Sequence, residues 1–357
     1  MTSNDSNPTA EAPHFTREWL IDALRYVRRD FEAAASGEAA VSGVAADDAR
    51  ARSRMETARR MGLDALAEEA MAAIDRAVEE AARLEWPGGL EVRYTAFLGA
   101  LRTLAQASSA FNDHTPERPH LTYLAETMAR AEIAAASLVR GRRAERLHGL
   151  YVIVDPSLTL DREPVWVAQE AIAGGATAIQ LRVKETDKGR WLPLAEALRG
   201  VCSDGGAALI INDHPDVAVA VDADGVHLGQ NDMPVAAARA TLRPWQIAGT
   251  SNALTAEADV SVQAGADYVA VGRMFPTGSK ADTRPAGPET LRAVRAATPP
   301  DGPPLLAIGG ITPENVGEVA RAGADGICVI AAVTQADDPR AAAARLLEAF
   351  NTAQERG

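Results

Sequence analysis

The sequence predicts a (β/α)8 TIM barrel over residues 147–357, preceded by an all-helical N-terminal domain. Eight short apolar runs occur after residue 147, and a stretch with helical spacing separates each run from the next. The runs are rich in Val and Ile and do not alternate with polar residues, which is typical of parallel strands buried on both faces. The length of this region also suits the fold, whose usual range is roughly 200 to 400 residues.

The eight apolar runs define the expected strands. They cover residues 150–154, 178–181, 208–211, 225–228, 246–249, 268–271, 305–308 and 326–329. A short glycine-containing sequence recurs before three of them, as Gly174-Gly175-Ala176, Ala264-Gly265-Ala266-Asp267 and Ala322-Gly323-Ala324-Asp325. Because it lies between a helix and the next strand, we expect its glycine to end the helix in a turn. Eight such strand–helix units imply a closed barrel.

The N-terminal part of the chain has a different texture. Residues 1–14 are rich in Ser, Asn, Pro and Thr, which predicts a disordered tail. Residues 15–146 show helical spacing and no strand pattern, so we expect a helical domain, for instance a bundle. Its end carries four arginines, Arg140, Arg142, Arg143 and Arg146. They are either cations of a last helical turn or part of an anion site.

Composition excludes several classes of function. The net charge of −13 argues against a general nucleic-acid binder, because a phosphate backbone needs a large cationic surface. The two cysteines, Cys202 and Cys328, are too few for a disulfide framework or a zinc site, and they suit a reducing cytoplasm. The N-terminus lacks the basic and apolar parts of a signal peptide, and no apolar run has the length of a membrane span. We therefore expect a cytoplasmic protein, and its negative charge does not exclude anionic substrates, which need only a local cationic pocket.

Polar side chains at the end of the second strand suit a diphosphate. In this fold the active site lies at the carboxyl ends of the strands. Gln180, Arg182 and Lys184 alternate along the chain, so an extended backbone would place them on one side. An amide, a guanidinium and an ammonium together can bind a pyrophosphate group. The alternative is that they are exposed charges leaving a strand.

Two aspartates at the ends of strands three and four suggest a magnesium site. Asp213 follows Asn212 at the end of strand three, and Asp232 follows strand four. Magnesium is often held by one or two carboxylates together with substrate phosphates. Asp232 is alternatively an N-cap for the following helix. Nearby, we interpret His227 as a hydrogen-bonded wall residue rather than a ligand, and His214 as part of a helix start.

Three further segments bear hydroxyl groups and glycines that suit phosphate binding. Ser251 ends strand five and either binds a phosphate or caps the next helix; no acid–base pair is apparent that would make it a catalytic-triad serine. The loop 272–287 contains Thr277-Gly278-Ser279-Lys280, which is either a phosphate-gripping unit or part of a solvated surface loop. In such barrels a phosphate is commonly bound at the ends of strands seven and eight. Gly309-Gly310 and the start of the helix after strand eight occupy these positions.

Together these motifs resemble the thiamine phosphate synthase family. The matching sequences are QLRVK, IINDH, GVHLGQND, GTS, VGRMFPTGSKADTR, AIGGIT and ADGICVIAAV, in the family's order and spacing across 147–350. The family joins a hydroxymethylpyrimidine diphosphate to a thiazole phosphate, with or without an added carboxylate, and releases pyrophosphate with the help of Mg²⁺. The helical region 15–146 lies outside the resemblance and is a candidate surface for homo-oligomer formation.

The resemblance implies a role for each matching residue. The pyrimidine diphosphate would contact Gln180, Arg182, Lys184, Asn212, Ser251 and Lys280. Mg²⁺ would be held by Asp213 and Asp232. The thiazole phosphate would lie among Thr277, Gly278, Ser279, Gly310, Ile330 and Ala331. Catalysis would depend most on Lys280, Arg182 and Ser251.

Two positions depart from the family pattern, and two other functions compete with synthesis. Ala331 replaces a common serine, which removes a hydroxyl but keeps the backbone N–H, and Ser279 replaces a frequent threonine. A thiazole tautomerase shares the barrel but needs no pyrophosphate site, so the cationic and acidic residues argue against it. A non-catalytic sensor of thiamine precursors would not need an intact metal and phosphate site.

Overall fold

The computed structural model of the chain describes residues 136–137, 139–184, 187–278, 284–299 and 302–355. The predicted tail 1–14 and nearly all of the predicted helical domain 15–146 lie outside these residues. The described part belongs, apart from Ala136, to the second of two units into which the chain divides, Ser137–Gly357. Within the described residues, no helix is both long and apolar enough to cross a bilayer.

Eight parallel strands form a closed barrel in the order in which they occur along the chain, and β8 pairs with β1. The strands are β1 Gly149–Val154, β2 Ala176–Leu181, β3 Ala208–Asn212, β4 Gly225–Leu228, β5 Ile247–Asn252, β6 Tyr268–Gly272, β7 Leu305–Ile308 and β8 Gly326–Val329. The predicted TIM barrel and its eight strands are thus confirmed. Strand β5 runs further than expected because Ser251 and Asn252 continue to pair with β6.

Helices follow the strands around the outside of the barrel. They are α1 Pro164–Ala173, α2 Lys188–Gly205, α3 Pro215–Ala220, α4 Val235–Thr241, α5 Thr255–Gln263, α6 Gly287–Ala297, α7 Val316–Arg321, α8 Ala331–Thr334 and α9 Pro339–Glu355. A 3-10 turn, Pro156–Leu158, follows β1. The recurrent glycines before strands, Gly175, Gly265 and Gly323, have φ values of 99°, 82° and 92°, as the predicted turns require.

The strands bury both of their faces. One face of each strand packs against the helices; in β1 this face carries Leu150, Val152 and Val154. The other face fills the barrel interior, where Tyr151 and Tyr268 are the largest side chains. Small residues such as Ala178 and Ala208 leave room for these two rings. Side chains that alternate between the interior and the helical layer are the expected result of the period-two geometry of strands.

A repeated ion pair fastens the amino-terminal end of the barrel. An aspartate lies directly before β4, β6 and β8, and it accepts a backbone N–H from the preceding strand. The same aspartate forms an ion pair with an arginine of the helix that leads into this preceding strand. The three sets are Leu209, Asp224 and Arg199; Ala248, Asp267 and Arg239; and Leu305, Asp325 and Arg295.

The arginines at the end of the predicted helical region bind to the same aspartates. Residues 139–145 are helical and precede β1. From this helix Arg140 donates to an Asp267 carboxylate oxygen at 3.0 Å and to the carbonyl of Pro244 at 2.6 Å. Arg143 lies 3.7 Å from the carboxylate of Asp224, which is almost fully buried. Three of the four arginines of the basic cluster, Arg140, Arg143 and Arg146, thus form ion pairs with these two aspartates.

Candidate active site

The predicted site residues of the described chain lie at the carboxyl ends of the strands, where the loops begin. Gln180, Asn212 and Ser251 lie within β2, β3 and β5. The remaining described candidates follow strand ends: Arg182, Lys184, Asp213, Asp232, Thr277, Gly278, Gly310, Ile330 and Ala331. Ser279 and Lys280, both expected to touch phosphate groups, lie outside the described residues.

Arg182 is held by a carboxylate that the sequence analysis did not single out. Its Nη1 lies 2.6 Å from Oδ2 of Asp155, the residue that follows β1. The other carboxylate oxygen of Asp155 accepts the backbone N–H and the hydroxyl of Ser157, at 3.0 and 2.6 Å. Both partners of the ion pair are largely buried, so the guanidinium is fixed at the end of β2. The signal for Asp155 in the sequence was its position at a strand end.

The three predicted diphosphate residues of strand two do not share one environment. Gln180 is buried in the barrel interior and donates its amide N–H to the hydroxyl of Tyr151 at 2.8 Å. Strand β2 ends at Leu181, so the expected alternation does not continue to Lys184, which is exposed. Arg182 keeps one bond to β1, because its N–H donates to the carbonyl of Val154 at 3.0 Å, whereas Lys184 is placed by the loop that follows.

Ser251 has a histidine partner that was not expected from the sequence, where only an acid–base pair suited to a catalytic-triad serine was judged to be missing. Nε2 of His227 lies 2.8 Å from Oγ of Ser251, and Nδ1 of His227 lies 3.0 Å from the hydroxyl of Tyr268. The interpretation of His227 as a hydrogen-bonded wall residue is confirmed. The group beyond the histidine is a tyrosine and not a carboxylate, so the arrangement differs from a Ser-His-Asp triad. Helix α5 begins after Leu254, and Ser251 does not cap it, which was the alternative expectation; the N–H of Leu254 donates to the side chain of Glu257 instead.

Tyr268 reaches this histidine because β5 has a glycine opposite it. A Cβ atom at Gly249 would lie 1.9 Å from Cζ of Tyr268. The ring therefore occupies the space that a side chain of Gly249 would fill, and it stacks on His227 with ring centres 5.7 Å apart. Neither tyrosine of the interior was identified from the sequence. Each lies in an apolar run, where a tyrosine is typical of a core position.

The backbone of Asp213 adopts a left-handed conformation with φ of 63°. Its N–H donates to the carbonyl of His227 at 2.8 Å, which extends the pairing of β3 with β4 by one residue. Non-glycine residues with such φ values are uncommon and concentrate at functional sites. The conformation therefore supports a functional assignment for this carboxylate.

Asp232 does not cap the following helix, which was the alternative expectation. Pro234 is the N-cap residue of α4, and no side chain caps this helix. The carboxylate of Asp232 instead accepts the N–H of Gly229 at 2.7 Å. His214, as expected, stands at a helix start, directly before Pro215 of α3. Burial, followed by the charge of Lys188, lowers the pKa of His214.

The oxygen ligands at the ends of β3 and β4 suit magnesium better than a metal ion whose ligands all come from the protein. Asp213 and Asp232 offer hard oxygen ligands at the ends of neighbouring strands. Across the residues that the structure describes, no group of three or more His, Cys, Asp or Glu is suited to hold a metal. One or two carboxylates, completed by water and phosphate oxygens, are the usual protein share of a Mg²⁺ site.

The loop after β6 packs along the end of β7. Met274 and Phe275 donate backbone N–H groups to the carbonyls of Ile308 and Gly309, at 2.9 and 3.0 Å. Gly309 and Gly310 have φ values of 104° and 66°. A Cβ atom at Gly310 would lie 2.6 Å from the carbonyl oxygen of Pro276. The glycine pair thus allows the loop with Thr277 to lie against the start of the β7–α7 connection.

The other end of the same loop is tied to the neighbouring part of the barrel mouth, at the ends of β4 and β5. Arg284 donates to the side chain of Gln230, after β4, and to the carboxylate of Glu257 in α5. Glu257 also accepts the backbone N–H groups of Ala253 and Leu254, at 2.8 and 3.2 Å. Burial opposes the ionisation of Glu257, but these N–H donors and Arg284 together lower its pKa.

The end of β8 leads directly into a short helix. Ile330 is the N-cap residue of α8, which begins at Ala331. The carbonyl of Ile330 accepts the N–H groups of Val333 and Thr334, at 3.0 and 2.9 Å. The first N–H groups of a helix have no partner within it, so they are available to an anion. The hydroxyl missing at Ala331 does not affect these backbone donors.

Known proteins resemble this chain over the barrel. A family model described as thiamine monophosphate synthase matches residues 150–333. A thiamine-phosphate synthase of Moorella thermoacetica is 47% identical over 206 residues, which are 57% of this chain and 97% of that protein. One from Chlorobium luteolum is 50% identical over 194 residues, which are 54% of this chain and 90% of that protein.

A solved structure agrees with these matches. It is a thiamine phosphate pyrophosphorylase from Pyrococcus furiosus, with a TM-score of 0.54 and 38% identity. The similarity covers 59% of this chain and 98% of that one. Since the barrel spans nearly the whole length of these relatives, the chain belongs to the thiamine monophosphate synthase family.

Proposed function

We propose that the barrel is a transferase that makes thiamine phosphate. It joins a hydroxymethylpyrimidine diphosphate to a thiazole phosphate, with or without an added carboxylate, and releases pyrophosphate. Membership of the family and the names of its relatives support the reaction. The observation that carries the proposal for this chain is the fixed cation at the mouth: Arg182 held by Asp155, next to the carboxylates at β3 and β4.

The reaction requires a stabilised leaving group more than a base. The bond between the pyrimidine methylene carbon and the diphosphate oxygen breaks, and its electron pair leaves with pyrophosphate. The lone pair of the thiazole nitrogen then forms the new carbon–nitrogen bond to the cation-like methylene. Arg182, Lys184 and Lys280 supply positive charge to the leaving group, and Ser251 donates a hydrogen bond to it. Gln180 and Asn212 orient the pyrimidine diphosphate.

The second substrate is bound at the opposite side of the mouth. Thr277, Gly278 and Ser279 from the loop after β6 surround the thiazole phosphate, together with Gly310, Ile330 and Ala331. Orientation of the two substrates by separate phosphate sites lowers the entropic part of the barrier. The order of the strands supports this arrangement, because β7 and β8 lie across the barrel from β3 and β4, and β6 is the neighbour of β7.

Magnesium is part of the proposal. Asp213 and Asp232 would hold Mg²⁺, which when bound neutralises charge on the diphosphate. This chain's own contribution is the left-handed backbone that directs Asp213 to the mouth and the N–H of Gly229 that orients Asp232.

Two broader expectations remain predictions. Cys202 and Cys328 are both buried and free, which suits a reducing compartment such as the cytoplasm. Self-association through the helical region 15–146 is expected from the sequence alone, and light scattering of the full chain tests it.

The proposed function is tested with both substrates and Mg²⁺ together. We expect thiamine phosphate to form. Ser251→Ala should lower the rate strongly. Ser203→Ala, which replaces an exposed serine of α2, is the matched control. A thiazole tautomerase would convert its single substrate without the pyrimidine diphosphate. A sensor would bind the precursors and form no product. Either result would contradict the proposal.

A further inference from the structure

Five polar side chains form an unbroken hydrogen-bonded chain through the barrel interior. The amide nitrogen of Gln180 lies 2.8 Å from the hydroxyl of Tyr151, which lies 3.3 Å from the hydroxyl of Tyr268. The Tyr268 hydroxyl lies 3.0 Å from Nδ1 of His227, and Nε2 of His227 lies 2.8 Å from Oγ of Ser251. The five residues come from five different strands, so the chain exists only in the closed barrel.

The amide at one end gives the chain a direction. Because Gln180 donates to Tyr151, the Tyr151 proton is available to Tyr268, and the Tyr268 proton in turn to His227. His227 then accepts at Nδ1, which places its own proton on Nε2. In that tautomer the Nε2–H would donate to the oxygen of Ser251, 2.8 Å away. The serine must therefore direct its own hydrogen elsewhere.

Both tyrosines are suited to a fixed chain of this kind. They are almost completely buried, at 1% and 0% exposure. Burial raises the pKa of both hydroxyls, so they keep their protons at every working pH. In contrast, Ser251 is only partly buried and lies at the open end of β5. The chain thus runs from a buried amide to a hydroxyl at the mouth.

We propose that His227 and Tyr268 are positioning residues that turn the Ser251 hydroxyl outward, as a hydrogen-bond donor to the pyrimidine diphosphate. The proposal rests on the proposed function. It adds that Ser251 acts as a donor because His227 is held as the tautomer that is protonated on Nε2. Without Tyr268, the histidine is free to accept at Nε2, and Ser251 can then donate to His227 in place of the substrate.

The tautomer is measured without substrate by ¹⁵N NMR of histidine-labelled full-length protein. His227→Asn identifies the resonances of His227 among the six histidines. We expect protonation on Nε2 in the wild type and a change towards Nδ1 in Tyr268→Phe. Thr334→Val is the matched control, because it also removes one buried hydroxyl, but that hydroxyl donates to the carbonyl of Leu158 and is not part of the chain. Protonation of His227 on Nδ1 in the wild type would overturn the proposal.

A double-mutant cycle tests whether Tyr268 acts through Ser251. Alone, Tyr268→Phe should lower kcat/KM roughly 10-fold, the effect of losing one hydrogen bond to a charged group. In a Ser251→Ala background the same change should cost less than about 2-fold. Multiplicative effects would mean that Tyr268 acts independently, and they would refute the proposal. Thermal melting establishes that each variant is folded, and His227→Asn provides a second cycle if Tyr268→Phe is not.

The same cycle is measured on the dissociation constant of the pyrimidine diphosphate by calorimetry. Absence of thiamine phosphate synthesis in the wild type would overturn the proposed function. In that case, the double-mutant cycle on binding and the protonation state of His227 would still test whether His227 and Tyr268 position Ser251. Additive losses of binding free energy in that cycle would overturn the positioning role separately.

Discussion

Asp155 and Arg182 join the ends of β1 and β2 through a largely buried ion pair of 2.6 Å. The pair explains how a guanidinium one residue beyond the end of β2 is kept in one place. A freely rotating arginine would lose side-chain entropy on binding each substrate molecule, and a fixed one has already lost it.

Asp155→Asn should weaken binding of the pyrimidine diphosphate. The amide keeps the shape but removes the charge that fixes Arg182, so we expect KM to rise about 10-fold. Breaking a buried ion pair should also lower the free energy of unfolding by roughly 3 kcal/mol. Steady-state kinetics and urea denaturation measure the two effects. Asp161→Asn, on the exposed loop nearby, should change neither, and an unchanged KM in Asp155→Asn would contradict the assignment of Arg182.

Asp213→Asn should lower kcat roughly 100-fold, because a carboxylate that supports the leaving group becomes neutral. Asparagine tolerates the left-handed backbone, so stability should change little. The Mg²⁺ concentration for half-maximal rate should rise, and a titration with Mg²⁺ measures this. Asp222→Asn is the matched control, since Asp222 also has positive φ, at 51°, but precedes β4 at the other end of the barrel. Equal Mg²⁺ dependence in wild type and Asp213→Asn would exclude Asp213 as a ligand.

Gly310→Ala should raise KM for the thiazole phosphate about 10-fold, because the added methyl group would displace the loop at Pro276. Alanine at φ of 66° also costs roughly 1 kcal/mol of backbone strain. Gly206→Ala separates the two effects. Its φ is 71°, but a Cβ atom there meets nothing within 4 Å. It should show the strain in unfolding experiments and normal kinetics. Normal KM in Gly310→Ala would refute a thiazole phosphate site beside this glycine.

Glu257 should contribute to stability only above acidic pH. Its pKa is lowered in the folded protein, so the folded state holds the ionised form more strongly than the unfolded chain does. The contribution is complete above the ordinary pKa of 4.5 and is lost as pH falls through the lower folded value. Glu257→Gln should therefore destabilise the protein at pH 7 and progressively less below about pH 4.5. Urea midpoints across this range measure the difference, and a gap that widens with acidity would contradict the prediction.

Asp224→Asn should lower stability without lowering kcat. Its carboxylate is nearly fully buried and serves Arg199, Arg143 and the N–H of Leu209, all at the amino-terminal end of the barrel. Loss of the charge should cost roughly 3 kcal/mol or more. Asp204→Asn, which is exposed, is the control. A large fall in kcat of folded Asp224→Asn would mean that this end of the barrel also shapes the site.

The fold could be predicted because its strands are short, apolar and bounded by turn glycines, as in the runs that became β1 and β4. Strand ends then located the aspartates of β3 and β4 and the glycines of β7. The partners of these residues could not be predicted. That Arg182 meets Asp155, or that Ser251 meets His227, depends on side-chain direction and on the closure of the barrel. No spacing along the chain contains that information.

The glycine-containing sequence that recurs before three strands could likewise be interpreted only in part. Gly265 and Gly323 were correctly predicted as turn residues, because the helix must reverse into the next strand. The aspartates two residues later, Asp267 and Asp325, were not interpreted. Their role depends on an arginine from a different helix, and only the packed structure brings the two together.

Formation of thiamine phosphate with release of pyrophosphate is the reaction proposed for this barrel. Following the wild-type protein with both substrates and Mg²⁺ by ³¹P NMR tests it most directly. We expect thiamine phosphate and pyrophosphate to appear in equal amounts, and neither to form when one substrate is omitted. Pyrophosphate without thiamine phosphate, or no product from both substrates, would contradict it.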